Sequence, residues 1–222
     1  MANNVVKVNG IAIANIAKIN GQTDADLAKL NGEEFTGYNP TEAHTLIATQ
    51  TASGSATLEF TSGIDSTYDV YEFIYTNMHP ATDEVNFSFQ VNASGGSGFN
   101  EYMTTTFFRP YHGEGGGTEL LYTYEGRHDQ AQTQLYQPLA YGTGNENDQS
   151  CSGMLTLYNP SSTTFVKQFA AKTNDNHAAD YTLHDHVFGY INTASAIDEI
   201  SFKFHSGNID TGFIKMYGVA TS

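Results

Sequence analysis

Apolar and polar residues alternate along this chain from about residue 41 almost to its end. In residues 85–91 the odd positions are apolar and the even positions are polar, which is the period of a strand with one buried and one solvated face. Such runs recur at intervals of roughly 8–15 residues and are separated by Gly, Asn, Pro and Ser. The pattern predicts an all-β fold, an antiparallel β-sandwich of the jelly-roll type.

Two of these runs bear on which side chains face the core. The strand predicted at residues 69–76 leaves open whether Val70 or Tyr71 faces inward, because both parities carry apolar side chains. The run near the C-terminus is unambiguous, and its predicted inward face consists of Ile200, Phe202 and Phe204.

Residues 5–32 contain a repeat with a period of eleven residues. Each of its three copies has two apolar positions, a lysine before the second of them, and a closing Asn-Gly. A fixed period indicates one small structural unit used repeatedly, and a unit this short cannot bury its apolar face by itself. We therefore predict that the repeat mediates oligomerisation or docking through Val5, Val8, Ile16, Ile19, Leu27 and Leu30.

Three local structures fit this repeat. A short helical turn at residues 23–32 would be capped by Thr23, carry Lys29 in its last turn and end at Asn31-Gly32. Alternatively, each Asn-Gly pair forms a type I′ turn between very short strands. A continuous coiled coil with an eleven-residue period ranks last, because a glycine in every copy costs about 1 kcal/mol relative to alanine.

The chain is expected to have two parts, a repeat arm at residues 1–40 and a β-sandwich domain at residues 41–222. Gly37, Asn39 and Pro40 interrupt regular structure between them. Symmetric self-association is the simplest way to cover the apolar stripe of the arm, and a homotrimer is expected by analogy with viral fibres. The open alternative is that the arm lies on its own domain or on a different protein.

The charge balance argues against two classes of partner. The formal net charge is −15, from 24 acidic and 9 basic residues. Nucleic acid and anionic lipid both require basic side chains, so neither is expected to bind.

No apolar run approaches the ~20 residues of a membrane span, and no signal-peptide pattern is present at the N-terminus. The single cysteine, Cys151, allows no intrachain disulfide and is expected to be a small packing residue.

Four segments resemble virion structural proteins of tailed bacteriophages, including those of marine bacteria. They are FTSGIDSTY at residues 60–68, YTNMHPATD at 75–83, LYNPSSTT at 157–164 and the closing turn and strand SGNIDTGFIKMYGV at 206–219. The N-terminal repeat is similar to arms in the same group. The resemblance spans most of the chain and implies a fibre, a tail appendage or a capsid-decoration subunit. It implies no catalytic residues and no cofactor.

Candidate metal ligands are few. His184 and His186 share one face of a predicted strand, with Asp185 on the opposite face. A third ligand from His177 or Asp180 would complete a site for Zn²⁺, whereas the alternative is a polar strand edge without metal. We assign no metal, and we keep the two histidines as candidates only.

Candidate ligand-binding residues are aromatic. Tyrosines near glycine-rich loops are able to stack on sugars, although they also serve as core or interface rings. Glycoside hydrolysis requires a pair of carboxylates, for which the candidates are Glu119, Glu125 and Asp129. No two of these residues stand out as a pair. We therefore expect no enzyme, and the possible glycan contacts are Tyr111, Tyr122, Tyr124 and Tyr136.

Taken together, these features predict a bacteriophage virion subunit made in the host cytoplasm. Its arm would assemble the oligomer or attach it to other virion proteins, and its sandwich would face outward and contact host surface glycan. The alternatives are a free carbohydrate-binding module, which would be a monomer, and a glycan-degrading enzyme, which would show an acidic pair in a groove.

Overall fold

The structure is a computed structural model that describes residues 44–122 and 128–219 and, before them, four two-residue strands. Every regular element in these residues is a β-strand, and none of them contains a helix long and apolar enough to cross a membrane. The chain divides into two compact units, Met1–Ala43 and His44–Ser222.

The strands are numbered in chain order. They are β1 (Lys7–Val8), β2 (Ile11–Ala12), β3 (Lys29–Leu30), β4 (Glu33–Glu34), β5 (His44–Thr51), β6 (Leu58–Phe60), β7 (Val70–Pro80), β8 (Val85–Ala93), β9 (Met103–Gly113), β10 (Thr118–Tyr122), β11 (Ala131–Thr133), β12 (Gln137–Thr143), β13 (Cys151–Tyr158), β14 (Lys167–His177), β15 (Tyr181–Ile191), β16 (Ile197–Phe204) and β17 (Ile209–Val219).

The first unit contains two small antiparallel pairs that flank Asn-Gly dipeptides. Strand β1 pairs with β2 across residues 9–10, and β3 pairs with β4 across residues 31–32. This is the hairpin interpretation of the first and third copies, and the helical interpretation is wrong at Lys29 and Leu30 because both lie in β3. The remaining predicted contact positions in the repeat, Val5, Ile16, Ile19 and Leu27, lie outside the described residues.

The second unit is built from two layers of antiparallel strands. One layer has the order β5-β17-β7-β13-β14-β15-β9, and both β10 and β11 pair with the far side of β9. The other layer has the order β12-β8-β16-β6. The layers remain continuous at one corner, where Thr143 of β12 pairs with His177 of β14.

The connections give the unit its sandwich character. The chain passes from one layer to the other after β5, β6, β7, β8, β11, β12, β15 and β16, whereas β13, β14 and β15 form a meander within one layer. Frequent crossing between layers is typical of jelly-roll folds. The predicted all-β antiparallel sandwich is therefore confirmed.

Aromatic rings from the two layers meet in the core. The ring centroids of Phe60 and Phe73 lie 5.6 Å apart, and those of Phe89 and Phe169 lie 5.0 Å apart in an edge-to-face arrangement. Each pair joins strands that are not hydrogen-bonded neighbours, so the contacts run across the sandwich. Edge-to-face geometry suits the ring quadrupoles and adds to the stabilisation from burial.

The inward faces follow the alternation. Ile200, Phe202 and Phe204 are buried, as predicted. On β7 the open choice of parity resolves in favour of Tyr71, which is fully buried, whereas Val70 is half-buried. Cys151 is also fully buried, and burial raises the pKa of its thiol, so it packs as a small apolar side chain.

The prediction of a solvated face on β8 is wrong. The even-numbered side chains Ser88, Gln90 and Asn92 are buried as well as the odd-numbered ones. The Gln90 side-chain amide lies within hydrogen-bond distance of the carbonyl oxygens of Glu101 and Leu135. Two connecting segments therefore fold over the outer side of β8, and a local alternation pattern carries no information about such long-range cover.

Candidate functional site

The outward face of the larger layer presents aromatic side chains on β15. Because side chains alternate along a strand, the even-numbered residues of β15 face away from the core that Val187 and Ile191 fill. Phe188 is 39% exposed on this outward face, and Tyr190 beside it is half-buried. Both rings sit in the interior of the sheet, because β15 pairs with β14 on one side and with β9 on the other.

Strand register places polar side chains on both sides of these rings. Tyr190 lies opposite Thr104 of β9 and Gln168 of β14. Phe188 lies opposite Thr106 of β9 and Ala170 of β14. Each ring is thus flanked by a threonine on one side and by an amide or a methyl group on the other.

These rows form the floor of an open groove of about 660 Å³. Tyr158, at the end of β13, lines the groove beyond Gln168 and is 42% exposed. The lining residues that the structure describes are Thr, Tyr, Gln, Phe, Ala or Gly, and no charged side chain is among them. That neutrality is notable on a chain whose net charge is −15. We call this site the outward groove.

The two candidate metal ligands lie on the same face, nearer the other end of β15. His184 and His186 have ring centroids 4.3 Å apart, and Asp185 between them is buried on the opposite face, as predicted. The His186 ring also stacks on Phe108 with its centroid 4.5 Å away. Partial burial, together with the neighbouring His184 and Lys172, lowers the pKa of His186.

No third ligand joins this pair. Among residues 44–122 and 128–219, no three His, Cys, Asp or Glu side chains come together in a way that would hold a metal ion. His177 and Asp180, the proposed third ligands, lie at the hairpin end between β14 and β15, and the His177 ring packs near Tyr141. The alternative of a polar strand edge does not hold either, because β15 is an interior strand.

The four predicted glycan contacts are not gathered into one described site. The Tyr111 ring packs on Tyr181, with centroids 5.2 Å apart. Tyr136 belongs to the other layer, where its hydroxyl donates to Ser201 Oγ and Lys203 lies over its ring. The side chain of Tyr122 and all of Tyr124 lie outside the described residues. The sequence-based prediction did not include Tyr158, Phe188 or Tyr190, the three rings of the outward groove. Alternation along residues 187–191 would have indicated that Phe188 and Tyr190 face outward.

A second polar feature lies inside the sandwich. Asp175 on β14 and Asp185 on β15 are almost completely buried, and both face inward. The Tyr141 backbone N–H donates to Asp185 Oδ2 at 3.0 Å. The Arg109 guanidinium lies over the Tyr141 ring, with its central carbon 3.8 Å from the ring centroid. We call these residues the buried acid cluster.

Burial governs the protonation of this cluster. Loss of solvation raises the pKa of Asp175 to about 7, against the opposing influence of the Thr143 hydroxyl and the Arg109 guanidinium. Burial, followed by the charge of Asp175, raises the pKa of Asp185 well above its usual range. The Thr143 hydroxyl lies near Asp175 without reaching standard hydrogen-bond geometry. Both carboxyl groups are closed to solvent, so in this structure a sugar chain has no access to them.

The chain matches no protein-family model, and no curated protein and no solved structure shows significant similarity to it. We therefore infer its function from the sequence resemblance, the repeat arm, the sandwich and the outward groove.

Proposed function

We propose that this chain is a virion structural subunit of a tailed bacteriophage, of the fibre, appendage or capsid-decoration type. It acts as an oligomer, most simply a trimer, without enzymatic activity. The arm assembles the subunits or attaches them to other virion proteins, and the sandwich is displayed outward. The phage assignment is supported by the sequence resemblance described above, and the structural role is supported by the two units of the chain.

The observation that carries this proposal is the incompleteness of the arm. Its strand pairs flank Asn-Gly in the first and third copies and contain two residues per strand. An isolated hairpin is marginal in water even with longer strands, and three or more strands or a packing partner are needed for stability. The apolar positions of the repeat therefore need cover, and neighbouring copies of the arm supply the simplest one.

The sandwich complements the arm. Its core is closed by aromatic packing across two layers, so the domain needs no partner to bury its interior. The acidic composition keeps a protein soluble at high copy number, because like-charged surfaces repel each other. A self-contained, strongly acidic domain on an incomplete arm suits a subunit that is anchored at one end and displayed at the other.

Light scattering after size-exclusion chromatography tests this proposal. We expect the full chain to form a defined oligomer and a variant lacking residues 1–43 to be a monomer. Within the full chain, Val8→Asp with Leu30→Asp should weaken the oligomer, because both residues occupy the apolar stripe. The matched control is Lys7→Ser with Lys29→Ser, which changes neighbouring positions outside the stripe and should leave the mass unchanged. A full chain that is monomeric at all concentrations would contradict self-association through the arm.

The second candidate function is a free carbohydrate-binding module. It is favoured by the outward groove, where exposed rings alternate with uncharged polar side chains. A free module needs no assembly arm, so it predicts a monomeric full chain that binds glycan. The same light-scattering measurement therefore separates the two candidates.

A further inference from the structure

We propose that the outward groove is a binding site for a neutral glycan. This inference deepens the proposed function, since it names what the displayed sandwich would contact. It also assigns the site to residues of β9, β13, β14 and β15 and not to the four tyrosines suggested by the sequence.

The charge of the groove selects the class of ligand. The chain carries a net charge of −15, yet within residues 44–122 and 128–219 none of the residues that line the groove is charged. An anionic sugar would meet the repulsive field of the surrounding protein without a basic side chain to bind it. A cationic ligand would find no carboxylate in the lining. A neutral, hydroxyl-rich molecule is not repelled by the net negative charge and needs no charged side chain to bind it.

The side chains of the groove match the two kinds of surface on a sugar ring. The faces of Phe188, Tyr190 and Tyr158 offer negative quadrupoles to the partly positive C–H groups of a pyranose. Gln168 and Thr106 are exposed, and their side chains make no hydrogen bond within the described part of the chain. They therefore remain free to bond the hydroxyl groups at the edge of the same ring.

The strand spacing gives the groove two separate stacking positions. Tyr190 stands on β15 and Tyr158 on β13, with β14 and Gln168 between them. Two interstrand steps separate β13 from β15 by about 9.5 Å. A ring held between two walls needs only about 7–8 Å, so Tyr158 and Tyr190 do not contact the same face-stacked ring. The volume of about 660 Å³ is within the usual range for small-ligand sites.

A second copy of this chain is a poorer occupant. Interfaces between identical subunits are usually more apolar than the average surface, with continuous apolar contact at their centre. Here Gln168 separates Tyr190 from Tyr158 across the sheet, so the rings of the groove do not form one continuous apolar surface.

The test uses the full-length protein and short neutral oligosaccharides built from glucose, galactose, mannose or xylose. Binding is measured by ligand-observed NMR and then by calorimetry, with sulfated and uronic-acid oligosaccharides as charged probes. We expect saturable binding of at least one neutral probe and none of the charged probes. Tyr190→Ala and Gln168→Ala should each weaken that binding by about tenfold. Gln168→Ala removes no packing, so it remains informative if Tyr190→Ala fails to fold.

The matched control is Tyr181→Ala, which removes an exposed tyrosine from the same strand outside the groove. It should bind like the wild-type chain. The proposal is overturned if no neutral probe binds, if only charged probes bind, or if the groove variants bind normally. A change of oligomeric mass in the groove variants would identify the groove as a subunit interface and overturn it too. Mass and glycan binding are read separately, so a monomer that binds sugar refutes only the assembly role.

Discussion

At the scale of single residues, the buried acid cluster makes the stability of the sandwich depend on pH. A carboxyl group whose pKa is higher in the folded state than in the unfolded chain stabilises the fold fully below its unfolded value, and this stabilisation is lost as pH rises through the folded value. The folded pKa of Asp175 is about 7, and burial and the charge of Asp175 raise that of Asp185 well above its usual range. We therefore expect the free energy of unfolding to fall as pH rises from about 4, by up to about 1.4 kcal/mol per pH unit for each carboxyl group that stays protonated only in the folded state. The contribution of Asp175 levels off above about pH 7, and the decline that continues there belongs to Asp185.

The pH window matters because His177 acts in the opposite direction at lower pH. Burial lowers the pKa of His177, so the penalty it imposes on the fold is relieved as pH rises toward about 6.5. Urea titrations at several pH values above that point isolate the carboxyl groups. Asp185→Asn keeps an acceptor for the Tyr141 N–H and should flatten the decline. The exposed control Asp148→Asn should leave it unchanged, and an equally steep decline in both variants would disprove the assignment.

A close backbone approach at Gly153 gives a second prediction at this scale. A Cβ at this position would overlap the backbone carbonyl oxygen of Lys172 and lie 2.8 Å from the Tyr75 hydroxyl. Neither group is free to withdraw, because β13 pairs with β14 along its length. Gly153→Ala should therefore lower the free energy of unfolding by about 1–3 kcal/mol in chemical denaturation. Gly115→Ala, with open space around its Cβ, should stay within about 0.5 kcal/mol of wild type.

At the scale of elements, Gln90 connects β8 to the segments that cover it. Its amide bonds the carbonyl oxygens of Glu101 and Leu135 in an environment closed to solvent. Gln90→Ala should cost about 1–3 kcal/mol, because it removes a fully buried side chain together with its hydrogen bonds to Glu101 and Leu135, of which Leu135 keeps a second donor in Gln130. Hydrogen exchange should accelerate first in residues 130–137. The matched control is Gln168→Ala, at an exposed position. In this variant the amides of residues 130–137 should exchange as slowly as in the wild-type chain.

The strands show which parts of the fold were predictable from local sequence. Alternation fixed the inward face of β16, whereas on β7 it left two parities open and only packing selected the face with Tyr71. It failed where distant segments decide burial, as on β8, and where strand ends depend on pairing. The bounds of β14, Lys167–His177, follow its register against β13 and β15, which come from distant or later parts of the chain. Likewise, the parity of Phe188 and Tyr190 was readable, but their neighbours Thr104 and Gln168 come from strands far away in sequence.

At the scale of the whole molecule, the division into two units predicts that the sandwich folds without the arm. All the buried apolar side chains described in the core belong to residues 52–216, so the second unit closes its own interior. A variant lacking residues 1–43 should therefore show the same urea dependence of unfolding as the full chain held at concentrations where it is dissociated. The same measurement distinguishes an arm that packs on its own sandwich from an arm that associates with other copies of the chain.

If the arm packed on its own sandwich, its removal would expose apolar surface and lower the midpoint of unfolding at every protein concentration. If the arm instead associates with other copies, the full chain should gain stability with protein concentration, whereas the truncated chain should not. The midpoint of the truncated chain should then match that of Val8→Asp with Leu30→Asp in the full chain. A concentration-independent loss of stability on truncation would show that the apolar stripe is satisfied within one chain.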